Sequence, residues 1–287
     1  MKKVNELIKL PEVKTIFNLF NNNQGIYLVG GCIRDTLSAK EVTDIDFAID
    51  IDPEEVVKTL SNNNIKFYDI GINYGTVTAV IDSKNYEITS LREDIETDGR
   101  HAKVKYTSDI KADSLRRDFT INAIYANRDG ELFDFHNGID DIENRNLKFI
   151  GSANDRVKED YLRILRYFRF YADFSNFEID ANLKKVFKEG SKNFSKISKE
   201  RIWTELKKII NQNNSFKSLS MMNEANILIE ISKDISFNKD YLKISYIENK
   251  INKPIDDLLK LSILLESSEY NANNFIEQFP ISNEEAE

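Results

Sequence analysis

The chain of 287 residues contains a single cysteine, Cys32, which excludes an internal disulfide and any multi-cysteine zinc site. Histidine is nearly as scarce: His101 and His136 leave too few nitrogen ligands for most catalytic zinc arrangements, so an essential metal is expected to be held by oxygen. No apolar run reaches the ~18 residues that span a bilayer. The opening MKKVNELIKL runs on into charged sequence instead of a signal-peptide core, so a cytoplasmic protein with no membrane partner is expected. Four prolines and ten glycines are spread too thinly to make a flexible linker, and no repeat of fixed period is visible. Positive charge is also in deficit, with a formal net charge of −8. That balance argues against a uniformly basic nucleic-acid binder but not against local clusters, of which Arg116-Arg117 and the stretch 156–169 are the most basic.

What is present describes a globular chain. Hydrophobic residues at 41% and charged residues at 31% leave no compositional case for disorder, and the length suffices to bury a core without staples. The first half mixes strand and helix signals and the second half is helical in period, which puts a boundary near residue 150. Strands are expected at 26–29, 44–51, 76–81 and 86–91, with 82–85 as a hairpin turn, and helices at 13–20 and 53–62. The polar segment around Asp98-Gly99-Arg100-His101 is expected to be a mobile loop. Beyond a turn at 151–154, apolar residues at 157, 161, 162, 164, 165 and 168 predict one long amphipathic helix carrying Arg163, Arg166 and Arg169 on another stripe. Later helices are expected at 199–211 and 216–231, the former capped by Ser198 and braced by an Arg201–Glu205 ion pair. Trp203, Tyr167, Phe168, Phe170 and Tyr171 are expected in the core, and the acidic tail from Ser282 is expected to fray.

Chemistry concentrates in Gly30-Gly31-Cys32-Ile33-Arg34-Asp35 followed by Asp44-Ile45-Asp46. Residues two apart on a strand face the same side, so Asp44 and Asp46 present two carboxylates at one point, a site for hard divalent cations. Two such ions activate an attacking hydroxyl and stabilise a leaving pyrophosphate. Gly30 and Gly31 let backbone N–H groups approach a triphosphate, Arg34 adds charge, and Glu87 on a neighbouring strand can supply a third carboxylate. Arg116-Arg117-Asp118-Phe119-Thr120-Ile121-Asn122 forms a second cluster, in which paired arginines beside Asp118 and Asn122 suit ribose and triphosphate; salt bridging accounts for part of it.

These motifs, with Asp98-Gly99-Arg100-His101 and the run from Glu159 to Phe170, resemble the class II tRNA nucleotidyltransferase (CCA-adding enzyme) and bacterial poly(A) polymerase family over residues 25–210. The resemblance implies an α+β fold. An N-terminal polymerase-beta-like nucleotidyltransferase head with a small mixed sheet (1–150) would precede an all-helical neck (151–211) and a shortened helical body (212–287). It further implies Mg²⁺ in a two-metal site on Asp44 and Asp46, and sugar and phosphate contacts from Arg116, Arg117 and Asp118. Asp160 and Arg163 would form an amino-acid template for CTP and ATP, with Arg166 one turn on and Arg169 on the same stripe. The implied activity is addition of C, C and A to the tRNA 3′ end, with no obligate protein partner. Asp can receive the exocyclic amine shared by C and A, whereas the carbonyl of U or G would confront it unpaired. Ser38-Ala39-Lys40 lacks a glycine common in the family and Ala48-Ile49-Asp50 a threonine, and the chain is shorter than typical members. The segment 92–108, similar to the loop that switches one site from CTP to ATP, favours full CCA addition over a CC-adding enzyme; an A-adding enzyme or poly(A) polymerase shares the template. A small-molecule nucleotidyltransferase needs no Asp160/Arg163 pair, and intact Asp44 and Asp46 speak against a non-catalytic RNA-binding relative.

Overall fold

The computed structural model describes residues 2–20, 24–98, 101–212, 214–235, 237, 239–251, 253, 255–265 and 279. The chain divides into two compact units, 1–152 and 153–287. In the first, α1 (Lys2–Ile8) and α2 (Pro11–Leu19) lead into β1 (Ile26–Val29), α3 (Gly31–Leu37), β2 (Asp46–Ile49), α4 (Pro53–Asn62), β3 (Lys66–Tyr68), β4 (Thr76–Ile81) and β5 (Lys84–Ser90). There follow β6 (Arg92–Asp98), β7 (His101–Tyr106), α5 (Ile110–Leu115), β8 (Ile124–Ala126), β9 (Leu132–Asp134) and α6 (Gly138–Glu143). Pro11 and Pro53 open α2 and α4, where a missing N–H costs nothing.

Seven strands form one mixed sheet in the order β3-β4-β5-β2-β1-β8-β9, with β2 and β5 parallel and the other pairs antiparallel. Register sorts side chains onto two faces. Ile26 and Leu28 lie opposite Ile49 and Phe47, and Phe47 meets the ring edge of Phe17 from α2 at 5.4 Å. The other face gathers Val29, Ala48, Leu91 and Tyr125 into a buried cluster flanked by Tyr27, Ile110 and Phe133. Asp46 pairs with Val29 across β1, so its side chain belongs to this second face. The predicted strand 44–51 thus begins only at Asp46, and Asp44 stands just before it.

The segment expected as a loop is instead the antiparallel hairpin β6–β7, with a bulge between Asp94 and Glu96. Its register sets Glu93 opposite Lys105 and Glu96 opposite Lys103. Gly99 and Arg100 of that motif, like the tail from residue 282, lie outside the described residues.

The second unit is helical throughout its described residues: α7 (Ala153–Glu159), α8 (Arg163–Phe174), α9 (Ala181–Ser191), α10 (Lys199–Ile210), α11 (Ser215–Glu224), α12 (Leu228–Ile231), α13 (Leu242–Ile251) and α14 (Asp257–Leu264). The α+β head followed by helices is the fold class the resemblance implied. Two predicted helices are each broken in two. Between α7 and α8, Asp160 leaves the helix, and its Oδ1 accepts the N–H of Leu162 at 3.1 Å, a local bond that competes with helical pairing. Asn226 adopts a left-handed φ of 57° that ends α11 before α12 begins. Helix α8 packs on α10 and α11, and α7 on α9, where a Cβ on Gly190 would come within 2.6 Å of Val157 Cγ1. Tyr167, Phe168, Phe170, Tyr171 and Trp203 are all buried, as predicted. Ser198 takes the cap position of α10 without a capping bond. The expected Arg201–Glu205 pair is replaced by tertiary ones: Arg201 reaches Asp160 at 2.7 Å, and the buried Glu205 pairs with Arg169 of α8 at 3.1 Å. Among the described residues no helix is long and apolar enough to cross a membrane.

Candidate functional site

Two carboxylates are neighbours near the start of β2, and a third acts on one of them. Parallel pairing of β2 with β5 makes Asp46 and Glu87 direct neighbours, and the exposed Asp44, two residues ahead, accepts the Thr43 hydroxyl at 3.1 Å. Burial, then the charges of Glu87 and Asp44, raise the Asp46 carboxyl to about 6 against the pull of Arg117 and Arg34. A carboxylate buried beside two further acids is one whose ionised form a divalent cation would stabilise. Among the described residues no three His, Cys, Asp or Glu side chains close into a metal cage. The neighbouring carboxylates of Asp46 and Glu87 fit Mg²⁺, which takes one or two carboxylates and completes its shell with water and substrate phosphates.

The turn after β1 supports this point. Gly30 has φ 77° and ψ −128°, a conformation open to glycine, and caps α3 directly after the strand. A Cβ there would sit 3.7 Å from Arg117 Nη1, so the arginine lies alongside the turn. Cys32 is fully buried beneath, its thiol directed at the Val29 carbonyl at 3.3 Å, and burial pushes it up to about 12; it is a packing residue, not a nucleophile. Arg34 grips Asp35 with Nε and Nη2 at 2.9 and 2.7 Å and donates Nη1 to Asn122 Oδ1 at 2.7 Å. Asn122 in turn donates to Asp118 Oδ1 at 3.1 Å, which also accepts the N–H of Phe119. Gly30, Gly31, Arg34, Asp118 and Asn122 are thereby brought together, with Asp118 and Asn122 buried inside the network.

Arg116 and Arg117 converge on a residue the sequence reading passed over. Asp113, fully buried on α5, binds Arg116 at 2.7 Å and Arg117 at 3.2 Å and accepts the Tyr125 hydroxyl at 2.6 Å. Burial alone would raise this carboxyl, but Arg117, Arg116 and the Tyr125 hydroxyl outweigh it and hold Asp113 at about 2. Its spacing of three and four residues from the arginine pair was the available signal.

In the helical unit, Asp160 and Arg163 are not partners of each other. Asp160 Oδ2 accepts Arg201 Nη2 at 2.7 Å, while Arg163 Nη1 donates to Glu159 Oε2 at 2.5 Å and to the Arg156 carbonyl at 3.2 Å. Arg163 opens α8, with Arg166 one turn on and Arg169 engaged by Glu205. Glu159 and Arg201, not predicted as site residues, are what orient this pair.

The profile of the poly A polymerase head domain matches residues 26–148, and that of the probable RNA and SrmB-binding site of polymerase A matches 176–237. The mitochondrial CCA tRNA nucleotidyltransferase 1 of Danio rerio is 39% identical over 229 residues, covering 76% of this chain and 53% of that protein. The chain belongs to the class II tRNA nucleotidyltransferase and poly(A) polymerase family. Two more members frame it. The Mus musculus protein of the same name is 35% identical over 91% of this chain and 64% of its own length, and the CCA-adding enzyme of Streptococcus gordonii is 38% identical over 64% and 45%. The chain thus spans between 45% and 64% of the length of these relatives. The family fold is shared as well: the Bacillus stearothermophilus CCA-adding enzyme solved with CTP superposes with a TM-score of 0.74 at 22% identity, over 96% of this chain and 68% of that one.

Proposed function

We propose that this family member adds C, C and A from CTP and ATP to the 3′ end of tRNA by two-metal nucleotidyl transfer. The observation that carries the reading is the carboxylate group at β2, with Asp46 beside Glu87 in register and pushed up to about 6 by burial and neighbouring charge. Asp44 and Asp46 hold the metals and Glu87 is the third carboxylate of the site. Bound divalent cations supply activation of the attacking 3′ hydroxyl and neutralisation of the leaving pyrophosphate. Gly30, Gly31 and Arg34 receive the triphosphate, and Arg116 and Arg117, with Asp118 and Asn122 behind them, hold phosphate and ribose.

Base choice falls to the helical unit, where Asp160 accepts the exocyclic amine of C or A and Arg163 donates to a ring acceptor, with Arg166 and Arg169 further along α8. We read 1–150 as head, 151–211 as neck and 212–287 as body. The names of relatives that are 35–39% identical support tRNA as acceptor. A reducing compartment, the cytoplasm in this reading, suits the lone buried thiol of Cys32.

Incubating the full chain with Mg²⁺, tRNA ending at the discriminator base and each labelled nucleotide tests the proposal. Ordered addition of two C and one A is expected, and Asp44→Ala should keep tRNA affinity while losing incorporation. Long A tails, or addition that stops at C,C or accepts only A, would replace the reading with one of the partial activities of the family.

A further inference from the structure

Resting on the nucleotidyl-transfer reading above, we infer that Asp113 is a positioning residue for the nucleoside triphosphate. It locks Arg116 and Arg117 into one geometry and fastens them to the root of the β6–β7 hairpin.

The carboxylate is fully buried and receives donors from three separate stretches of chain. Oδ1 accepts the backbone N–H of Arg92, the first residue of β6, at 3.1 Å and Arg116 Nε at 2.8 Å. Oδ2 accepts Arg117 Nη2 at 3.2 Å and the hydroxyl of Tyr125, at the centre of β8, at 2.6 Å. Tyr125 also accepts Arg117 Nε at 2.8 Å, so the guanidinium is held at two points and its plane is set. The far end of that same guanidinium lies against the Gly30 turn. A single carboxylate thereby ties two arginines to the hairpin and decides where Arg117 stands relative to the glycine turn.

The charge balance points the same way. Arg92, Arg116 and Arg117 gather around Asp113, and the Nε and Nη1 of Arg92 are buried without a hydrogen bond. Burial, and next the charge of Arg116, draw Arg92 down to about 10. Asp94 stands 4.0 Å from Arg92 and only partly offsets this. One central carboxylate is enough to order the cluster and too little to neutralise it, which leaves net positive charge for an anion. A triphosphate is the anion that CTP and ATP share, so loss of Asp113 must weaken both alike.

The test compares Asp113→Asn and Tyr125→Phe with the unmodified protein, measuring kcat, KM for CTP and ATP, KM for tRNA, and calorimetric Kd for each Mg-nucleotide. Asp113→Asn is expected to raise both nucleotide constants about ten-fold and Tyr125→Phe about three-fold, with the tRNA KM and the CTP/ATP ratio unchanged. A merely structural role would lower kcat through a smaller folded fraction and leave every KM and Kd as before, and that result overturns the inference. Should Asp113→Asn not fold, Tyr125→Phe, which preserves every charge, decides alone. Nucleotide binding without incorporation by the unmodified protein would sink the functional reading, yet the Kd comparison would still judge Asp113.

Discussion

Asp46, the proposed metal ligand, weakens the fold that carries it. Its carboxyl sits at about 6, above the ordinary ~4. Between those values the folded chain holds more protons than the unfolded one, so stability falls as pH rises through about 4 to 6 and is level above. Asp46→Asn removes that penalty. In EDTA at pH 8 its melting temperature should exceed that of the unmodified protein by about 2–4 °C per kcal/mol of relieved repulsion, and the two should converge near pH 4. Incorporation should be lost at every pH. A lower melting temperature at pH 8 would mean that Asp46 is electrostatically satisfied without metal. Pairing of Asp46 with Glu87 was legible only as a candidate, because nothing local states that β2 runs parallel to β5. The Gly30 turn was legible outright, since a positive φ directly after a strand is a local requirement, whereas the same-face argument for Asp44 and Asp46 assumed a strand that begins only at Asp46.

At the level of elements, the break between α7 and α8 changes what Asp160 and Arg163, the pair proposed to select the base, can do. A continuous helix would lay Asp160 and Arg163 side by side on one face. Outside the helix, Asp160 is held instead by Arg201 of α10 and the N–H of Leu162, while Glu159 holds Arg163. Removing one anchor should loosen selection more than catalysis. Arg201→Ala is expected to raise UTP and GTP misincorporation relative to CTP and ATP about ten-fold, equivalent to ~1.4 kcal/mol, with helical circular dichroism retained. Unchanged discrimination would remove Arg201 from the selecting machinery. Periodicity could not foretell this break, because the apolar stripe continues through it and the decision rests with one aspartate offering its own side chain to the backbone. The hairpin β6–β7 was missed for a related reason: its sequence is rich in charge and carries no clear apolar alternation, so only pairing in space defines its strands.

Across the whole molecule the notable feature is charge segregation. The chain carries −8, yet residues 184–199 hold Lys184, Lys185, Lys188, Lys192, Lys196 and Lys199 against the single acid Glu189. Lys185, Lys188 and Lys192 are exposed on α9 and just beyond it, within the stretch that matches the probable RNA-binding profile. If these three each meet a phosphate, replacing them together with alanine should reduce the slope of log affinity for tRNA against log salt by about 2 to 3, roughly 0.7–0.9 per contact. Filter binding at several salt concentrations reads this directly, and an unchanged slope would make the cluster an ordinary solvated face.

Sequence by itself determined the motifs, the order of head before helices, and the residue types at the proposed metal site, because each is a local demand of backbone conformation, side-chain chemistry or period. Tertiary structure alone decided which charges neutralise one another: Arg116 and Arg117 on Asp113, Arg201 on Asp160, Arg169 on Glu205. Ion pairs depend on distance in space and on exclusion of water, and neither is written in the spacing of residues along a chain.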